Sequence, residues 1–557
     1  MSKKLVVIGG VAAGMKTAAK AKRENPDWSV TVLEKGKDVS YAGCGLPYYI
    51  GEVIKKREEV VVKTPEQLKA WLGIDVLIQH EALKVDTTAK EVTVKDNTSG
   101  KIKVFAYDKL VFATGAVPFI PPVPGIDLPQ VYTVREVVDA DAIRAQLDKG
   151  NVREAVVVGG GFIGLEVAEN LVLRGVKTTL VELLDQVLPG FDYEMAILVQ
   201  KHLEENGLRV ITGDKITSFV ADEKGNLRAA VTPTQEIPCD LAVWATGVQP
   251  NTRLAQEAGV ELGPTRAIKV NENMETNIPD VYAVGDCAEN IHLVTGKPAW
   301  IPMGSTANKM GRVAALNLDG REGEGDFLRG VLGTTVVKLF DIKAGKTGLS
   351  ELAAKKEGFD IETVLLPAHD LAHYYPGNHI ILVKLIADKA TYRVLGGQVV
   401  GEGVIDKPID VLATAITLGA KVEDLAKLDL AYAPPFSTAM PPVVTAANVL
   451  LNKLSGRLTG IKPQELKARL AAGDGDLELV DVRKEEEVML GKIPGAKHFE
   501  IDTLEQHADE IDRNKEVVLI CKVGLRGYLS AIKLRALGFR RVTVLEGGMT
   551  AWPYETE

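Results

Sequence analysis

Two of the four cysteines stand where a thiol could do chemistry. Cys44 lies in the turn Ser40-Tyr41-Ala42-Gly43-Cys44-Gly45, which could open a helix, the kind of site that stabilises a thiolate. Cys521 ends an apolar run and enters a short loop. All four cysteines are far apart and lack metal-ligand spacing: Cys44, Cys239, Cys287 and Cys521. The sequence therefore predicts lone reactive thiols, no metal site and a reducing, cytoplasmic compartment.

A complete phosphate-binding turn follows the apolar run Ala155 to Val158. Its glycines, at positions 159, 161 and 164, suit a tight turn, close approach of a pyrophosphate, and packing of helix on strand. Glu182 follows 18 positions after Gly164, as an acid that binds a ribose 2′-hydroxyl would. The next three residues offer no cation for a 2′-phosphate. This unit is predicted to bind NADH in preference to NADPH.

A similar unit begins 150 residues earlier, although Val11 occupies its second glycine position. It runs from Lys4 to Ile8 into a Gly-rich turn, and Glu34 lies 20 residues beyond Gly14. Both units close later on Ala-Thr-Gly, so the sequence predicts two dinucleotide-binding folds in tandem. The predicted contacts are Gly9, Gly10, Ala12, Ala13, Gly14, Glu34, Lys35, Thr114 and Gly115 in the first unit, and Gly159, Gly161, Phe162, Ile163, Gly164, Glu182 and Gly247 in the second.

A distant segment indicates which nucleotide the first unit binds. Residues 276–286, Thr-Asn-Ile-Pro-Asp-Val-Tyr-Ala-Val-Gly-Asp, resemble the second flavin-binding motif of the pyridine nucleotide–disulfide reductase family. The resemblance implies bound FAD, with Glu34 at its adenosine and Asp286 accepting hydrogen bonds from its ribityl chain. It also implies one FAD fold interrupted by one NAD fold.

The surroundings of Cys44 resemble one branch of that family. Two-cysteine reductases place the second thiol five positions on, where this chain has Tyr49. Residues 40–52 resemble the single-cysteine coenzyme A-disulfide and persulfide reductases, which are relatives of NADH oxidases and peroxidases. In that branch a homodimer completes each active site with tyrosines from the partner subunit. The matching segments imply that Tyr375 and Tyr432 stabilise a leaving thiolate.

The same resemblance implies a coenzyme A site. Lys16, Lys20 and Arg23 recur at helical spacing and could meet the ADP phosphates of coenzyme A, and Ser40 and Asn308 match further contacts. The chain departs from the branch at four positions: Gly43 replaces an Asn, Met440-Pro441 replaces a Lys-Asp pair, and the His before the tyrosine pair is displaced to His373.

The last hundred residues resemble a single rhodanese domain, with motifs in order from Asp481-Val482-Arg483 to Trp552. The resemblance implies that Cys521 carries sulfur as a persulfide. Successive N–H groups of its loop would form an anion nest, and Arg526 would add a fixed positive charge. The Cys-x4-Arg spacing is that of sulfur transfer; phosphatases use one residue more. Lys492 stands in place of the usual His, and Gly527 follows the Arg.

Composition and length agree with a large soluble enzyme. With 557 residues, 46% hydrophobic and a formal charge of −9, the chain predicts several domains, no nucleic-acid partner and no membrane span. The fold class is α/β: tandem Rossmann-like FAD and NAD domains, an α+β dimerisation domain and a C-terminal α/β rhodanese domain. The predicted boundaries are 1–150 and 251–325 for the FAD domain, 151–250 for the NAD domain, 326–453 for dimerisation and 458–557 for rhodanese.

Together these features predict an FAD-dependent NADH oxidoreductase that reduces coenzyme A disulfide, coenzyme A persulfide or polysulfide through Cys44. Two alternatives remain. One is an NADH oxidase or peroxidase that cycles Cys44 through a sulfenic acid, which leaves Cys521 without a role. The other is a redox-sensing flavoprotein, for which the chain shows no extra interaction segment.

Overall fold

The chain folds into two compact units. The computed structural model describes residues 2–320 and 325–557. The first unit comprises Met1–Asp185 and Gly207–Gly333, and the second comprises Gln186–Asn206 and Thr334–Glu557. No helix within the described residues is both long and apolar enough to cross a membrane.

Two parallel five-stranded sheets in the first unit correspond to the two Gly-rich repeats. Their central strands, Lys4–Ile8 and Glu154–Val158, each bury four residues in succession, as parallel strands covered on both faces do. Strand Val281–Ala283 pairs with Lys109–Phe112 in the first sheet. One dinucleotide fold is thus interrupted by the other, which confirms the predicted tandem arrangement.

The elements of the first unit fall into these sheets and the helices that cover them. The first sheet has the order Val281–Ala283, Lys109–Phe112, Lys4–Ile8, Ser29–Leu33, Asp75–Leu77; the second has Arg209–Ile211, Lys177–Val181, Glu154–Val158, Leu241–Trp244, Val131–Tyr132. Smaller antiparallel sheets join His80–Asp86, Glu91–Asp96 and Ile102–Ala106; Ser218–Ala221, Leu227–Val231 and Glu236–Pro238; Ala116–Pro118 and Val248–Pro250; and Asn290–Ile291 and Pro298–Ala299. The α-helices are Ala12–Glu24, Leu46–Ile50, Arg57–Val60, Pro65–Leu72, Val137–Asp148, Phe162–Leu173, Arg253–Glu257 and Gly304–Asn317.

The second unit begins with an antiparallel five-stranded sheet and its helices, the predicted α+β domain. The strand order is Thr335–Leu339, Ile342–Gly348, Val394–Gly401, Ile380–Asp388, Ile361–His369. The helices are Tyr193–Glu205, Glu351–Lys356, Asp406–Thr417, Val422–Leu425 and Pro442–Leu454. Helix Tyr193–Glu205, which the sequence places in the NAD domain, belongs to this unit because Glu194 at its start lies 2.6 Å from the buried ammonium of Lys384.

The C-terminal part of the second unit is a parallel α/β domain. Its strands follow the order Gly460–Ile461, Val542–Leu545, Glu516–Ile520, Leu477–Asp481, Lys497–His498. Its α-helices are Pro463–Ala471, Glu485–Val488 and Leu525–Ala536, and 3₁₀ turns span Leu504–Glu510 and Gly548–Ala551. The helix after the Cys521 loop begins at Leu525, which is exposed and apolar.

Candidate functional site

The first Gly-rich turn has the geometry of a dinucleotide site. Gly9 adopts φ +109°, and a Cβ on Gly14 would lie 1.9 Å from the Gly9 carbonyl oxygen, so the helix start and strand end meet without side chains. The carboxylate of Glu34 accepts hydrogen bonds from the backbone N–H groups of Gly10 and Gly36, each at 2.8 Å. Glu34 is thereby fixed at the end of strand Ser29–Leu33, where an adenosine ribose would lie.

The second turn repeats this geometry. Gly159 also adopts φ +109°, and a Cβ on Gly164 would lie 2.0 Å from its carbonyl oxygen. Glu182 accepts from the N–H of Gly160 at 2.5 Å and of Leu184 at 2.8 Å. A Cβ on Gly161 would meet nothing within 4 Å, so this glycine leaves open space beside the helix start. Both turns therefore fit a bound dinucleotide.

The valine at position 11 has a structural explanation. Val11 has φ −101°, and its counterpart Gly161 has φ −79°. Neither turn needs the left-handed conformation at this position, so φ alone does not require a glycine there. The two turns differ in ψ, which is −112° at Val11 and −179° at Gly161.

The other predicted dinucleotide contacts surround the same two turns. Gly115 and Gly247 adopt φ +67° and +117°, and Thr114 donates to the Asn251 carbonyl at 2.6 Å. Lys35 is exposed beside Glu34. The remaining four open the two helices: Ala12 and Ala13 in Ala12–Glu24, and Phe162 and Ile163 in Phe162–Leu173.

Asp286 lies in the 3₁₀ turn Gly285–Cys287 and is held by a residue that the sequence reasoning missed. Nη2 of Arg135 donates to its carboxylate at 3.0 Å. The indole of Trp300 donates to the Asp286 carbonyl at 2.7 Å. Arg135 lies 151 positions away and belongs to no recognisable motif, so no local pattern could have indicated it.

Cys44 lies in the 3₁₀ turn Gly43–Gly45, which leads directly into helix Leu46–Ile50. It is exposed, and its thiol is free. Tyr49, at the position of a second thiol in two-cysteine reductases, is buried and donates to Asp141 at 3.1 Å. Cys239 and Cys287 are buried. Cys44 thus has no neighbouring cysteine in its own segment.

The protein groups around Cys44 raise its pKa. Partial burial of the sulfur is the largest cause, followed by the carboxylates of Glu166 and Asp286. Arg135 and the backbone N–H of Cys44 act in the opposite direction but do not compensate. Burial and the two carboxylates therefore oppose the thiolate that the turn is predicted to stabilise.

Glu166 is a second functional candidate that the sequence reasoning missed. Tyr48 donates to its carboxylate at 3.0 Å. Burial raises the pKa of Glu166 to about 7, the Tyr48 hydrogen bond lowers it, and Glu169 raises it further. The sequence did contain an indication of this residue, since Glu166 is a charged side chain inside the otherwise mainly apolar helix Phe162–Leu173. Glu166 can hold or release a proton near neutral pH beside Cys44.

The predicted coenzyme A residues lie on one helix pair and a nearby turn. Helices Ala12–Glu24 and Gly304–Asn317 meet at Gly311, where a Cβ would lie 2.6 Å from the Ala13 carbonyl oxygen. Lys16 and Arg23 make no ion pair among the described residues, whereas Lys20 pairs with Glu24. The side-chain amide of Asn308 donates to the carbonyl of Gly304, one turn earlier in the same helix, at 2.8 Å. Ser40 adopts φ +49°.

In the second unit, Tyr374 is a neighbour of Tyr432. The Tyr432 phenol raises the pKa of Tyr374. Tyr374, Tyr375 and Tyr432 are all exposed in the single chain, at 65%, 36% and 49%. Tyr374 therefore joins Tyr375 and Tyr432 as a candidate.

Cys521 lies at the end of strand Glu516–Ile520 and is buried. The N–H of Gly524 donates to its sulfur at 3.0 Å, which is one of the loop N–H contacts that the predicted anion nest would need. Gly527 is also explained by close packing, because a Cβ there would lie 2.8 Å from Val544 and 3.6 Å from the sulfur. The guanidinium of Arg526 is not free to interact with the sulfur alone, because it forms a bidentate ion pair with the carboxylate of Glu487.

Comparison with known proteins agrees with this geometry. Residues 3–302, more than half of the chain, match the pyridine nucleotide-disulphide oxidoreductase family. The chain belongs to this family. Residues 334–443 match the family's dimerisation domain, which indicates a homodimer, and residues 462–554 match a rhodanese-like domain. The family implies FAD and NAD(P)H as cofactors.

Several relatives resemble the chain over most or all of its length. An NAD(P)H sulfur oxidoreductase (CoA-dependent) of Pyrococcus furiosus is 41% identical over 80% of this chain and 99% of its own. The crystal structure of reduced Bacillus anthracis CoADR-RHD has a TM-score of 0.93 at 36% identity and covers 99% of this chain and 98% of that one. An NAD-dependent persulfide reductase from A. fulgidus has a TM-score of 0.93 at 41% identity, covering 99% and 100%.

Proposed function

We propose that this protein is an NADH-dependent reductase of disulfide or sulfane sulfur, with a second domain that carries sulfur as a persulfide. The single observation that carries the proposal is an exposed, solitary Cys44 within electrostatic range of Asp286, in a chain whose Cys521 sulfur accepts a hydrogen bond from the Gly524 N–H. Related reductases acting on sulfur or persulfide match in sequence and structure.

The first thiol would react with the substrate directly. The thiolate of Cys44 attacks one sulfur of a disulfide, persulfide or polysulfide; the S–S bond breaks, and a thiolate or hydrosulfide leaves. Cys44 is then a mixed disulfide or persulfide, which two electrons from NADH reduce again. Bound FAD would supply the two-electron relay between nicotinamide and sulfur. Glu166, with its pKa near 7, would hold the proton that the Cys44 site exchanges.

The residues whose geometry fits a bound dinucleotide would hold FAD and NADH. Glu34 and Asp286 would bind FAD, and Glu182 would bind the adenosine ribose of NADH. Leu183 and Leu184 follow Glu182 and are exposed, so a 2′-phosphate would find no cation there. This favours NADH over NADPH.

The substrate class includes coenzyme A derivatives. Lys16 and Arg23, which have no ion pair with any residue that the structure describes, offer cations for the ADP phosphates, while Glu24 partly neutralises Lys20. In a homodimer, Tyr375 and Tyr432 of each subunit would stabilise the thiolate leaving the partner's Cys44. The exposure of the three tyrosines in the single chain supports this role.

The rhodanese domain separates the proposal from the oxidase alternative. Cys521 would accept sulfane sulfur and present it as a persulfide, which reduction of oxygen or peroxide does not require. NADH consumption should therefore be fast under anaerobic polysulfide and slow under air or peroxide.

The decisive variants are Cys44→Ser and Cys521→Ser, which make the same change in the two candidate thiols. Cys44→Ser should abolish NADH-dependent reduction of coenzyme A disulfide, whereas Cys521→Ser should retain it and lose persulfide transfer. Full reductase activity in Cys44→Ser would refute the proposal.

A further inference from the structure

The guanidinium of Arg526, five positions beyond Cys521, is engaged by a carboxylate of this chain. Nη1 donates to Oε2 of Glu487 at 2.5 Å, and Nη2 donates to Oε1 at 2.7 Å. These hydrogen bonds lower the pKa of Glu487 to about 2 and raise that of Arg526. Both groups are charged at neutral pH, so the net charge of the pair is zero.

Arg526 lies within electrostatic range of Cys521. The charge on Cys521 contributes to the raised pKa of Arg526, after the larger effect of Glu487, so the two groups lie within interaction range. The other arginine of this region, Arg483, is likewise matched: its Nη2 donates to the buried carboxylate of Asp481 at 2.8 Å. Both arginines near the Cys521 loop therefore have acidic partners.

Exposed apolar side chains lie near Glu487 and Arg526 along the chain. Met489 and Leu490 follow Glu487 and are 81% and 89% exposed, and Leu525 precedes Arg526 and is 64% exposed. A small inorganic dianion gains nothing from such contacts, whereas an organic donor buries apolar surface against them.

We propose that Glu487 is a specificity-determining residue of the Cys521 site, which disfavours dianionic sulfur donors such as thiosulfate and favours organic persulfides with one negative charge. The proposal rests on the proposed sulfur transfer at Cys521. In that step the Cys521 thiolate attacks the terminal sulfur of the donor and the donor's S–S bond breaks. Sulfite leaves from thiosulfate, or a thiolate leaves from a persulfide, and Cys521 becomes a persulfide anion without any external oxidant or reductant.

The size of the effect should scale with the donor's charge. Removing the carboxylate of Glu487 leaves the positive charge of Arg526 uncompensated, and the interaction energy is proportional to the charge it meets. We expect kcat/KM to rise about tenfold for a dianion and about threefold for a monoanion at low ionic strength.

The test uses the full chain with cyanide as sulfur acceptor, and thiosulfate or 2-hydroxyethyl persulfide as donor. Glu487→Gln should raise the thiosulfate-to-persulfide ratio of kcat/KM, and Glu487→Ala, which cannot bind Arg526, should do the same. Glu486→Gln is the matched control: it removes a neighbouring charge that has no ion pair within the described residues, and should leave the ratio unchanged. Adding Arg526→Gln to Glu487→Gln should cancel the gain.

Two different failures are distinguishable. If wild type and Cys521→Ser form thiocyanate equally slowly from both donors, the proposed sulfur transfer at Cys521 is wrong. If wild type transfers sulfur through Cys521 but Glu487→Gln leaves the donor ratio unchanged, or changes it as Glu486→Gln does, the role of Glu487 is overturned.

Discussion

Besides partial burial, two carboxylates raise the pKa of Cys44. Glu166 ionises near pH 7, and its charge raises the pKa of Cys44. The charge on Glu166 therefore opposes ionisation of Cys44.

Neutralising Glu166 should make Cys44 more acidic. In Glu166→Gln the opposing charge is absent, so the apparent pKa of Cys44 should fall. The measurement is the pH dependence of the iodoacetamide alkylation rate of Cys44 in the NADH-reduced protein. Glu223→Gln, which removes an exposed carboxylate that does not act on Cys44, should leave the profile unchanged. An unchanged profile in Glu166→Gln would contradict this effect of the carboxylate.

At the scale of elements, the contact between helices Ala12–Glu24 and Gly304–Asn317 joins the FAD turn to the candidate coenzyme A residues. The contact depends on Gly311, because a Cβ there would lie 2.6 Å from the backbone oxygen of Ala13. A backbone atom cannot move aside as a side chain can. The helices must separate to admit even one methyl group.

Gly311→Ala should therefore lower the free energy of unfolding by about 1–3 kcal/mol and weaken FAD retention. Gly304→Ala, at the start of the same helix, places its Cβ where nothing lies within 4 Å and should be neutral or slightly stabilising. Thermal unfolding and flavin release on dilution measure both effects. Equal stability of the two variants would show that the helix crossing tolerates the methyl group.

The sequence predicts an element well when the pattern that specifies it lies within one short segment. The two Gly-rich turns lie where their spacing indicated. Contacts between distant segments were not predictable: Tyr48 and Glu166 are 118 positions apart. Periodicity reports which face of an element is buried, but it does not report which distant side chain faces it.

At the scale of the whole second unit, one buried lysine joins three parts of the chain. The ammonium of Lys384 lies 2.8, 2.6 and 2.9 Å from Asp192, Glu194 and Glu351, and Lys462 of the rhodanese domain pairs with Glu351. Burial alone would lower the pKa of Lys384, but the three carboxylates outweigh it and raise it. This cluster fixes the rhodanese domain to the dimerisation domain.

Lys384→Met should lower the free energy of unfolding by about 3–5 kcal/mol at pH 7, because it leaves buried carboxylates without their cation. Burial would raise the pKa of Glu351, but Lys384 and hydrogen bonds from lysines hold it below its ordinary value. Its stabilisation is present above the unfolded pKa and is lost as the pH falls through the folded one. The destabilisation should thus shrink on acidification below about pH 4.5.

Urea unfolding at pH 7 and pH 4 checks this sign. Lys389→Met is the control, since Lys389 forms only an exposed pair with Asp360 and should change stability by less than about 1 kcal/mol. A destabilisation of Lys384→Met that grows at pH 4 would contradict the assignment.

The most direct measurement is peptide mass spectrometry of the anaerobic, reduced protein after incubation with coenzyme A disulfide. We expect one coenzyme A adduct on the peptide that contains Cys44, none on Cys239 or Cys287, and its complete removal by NADH. Turnover of NADH with Cys44 remaining unmodified, or an adduct that NADH leaves in place, would contradict a solitary sulfur nucleophile at this site.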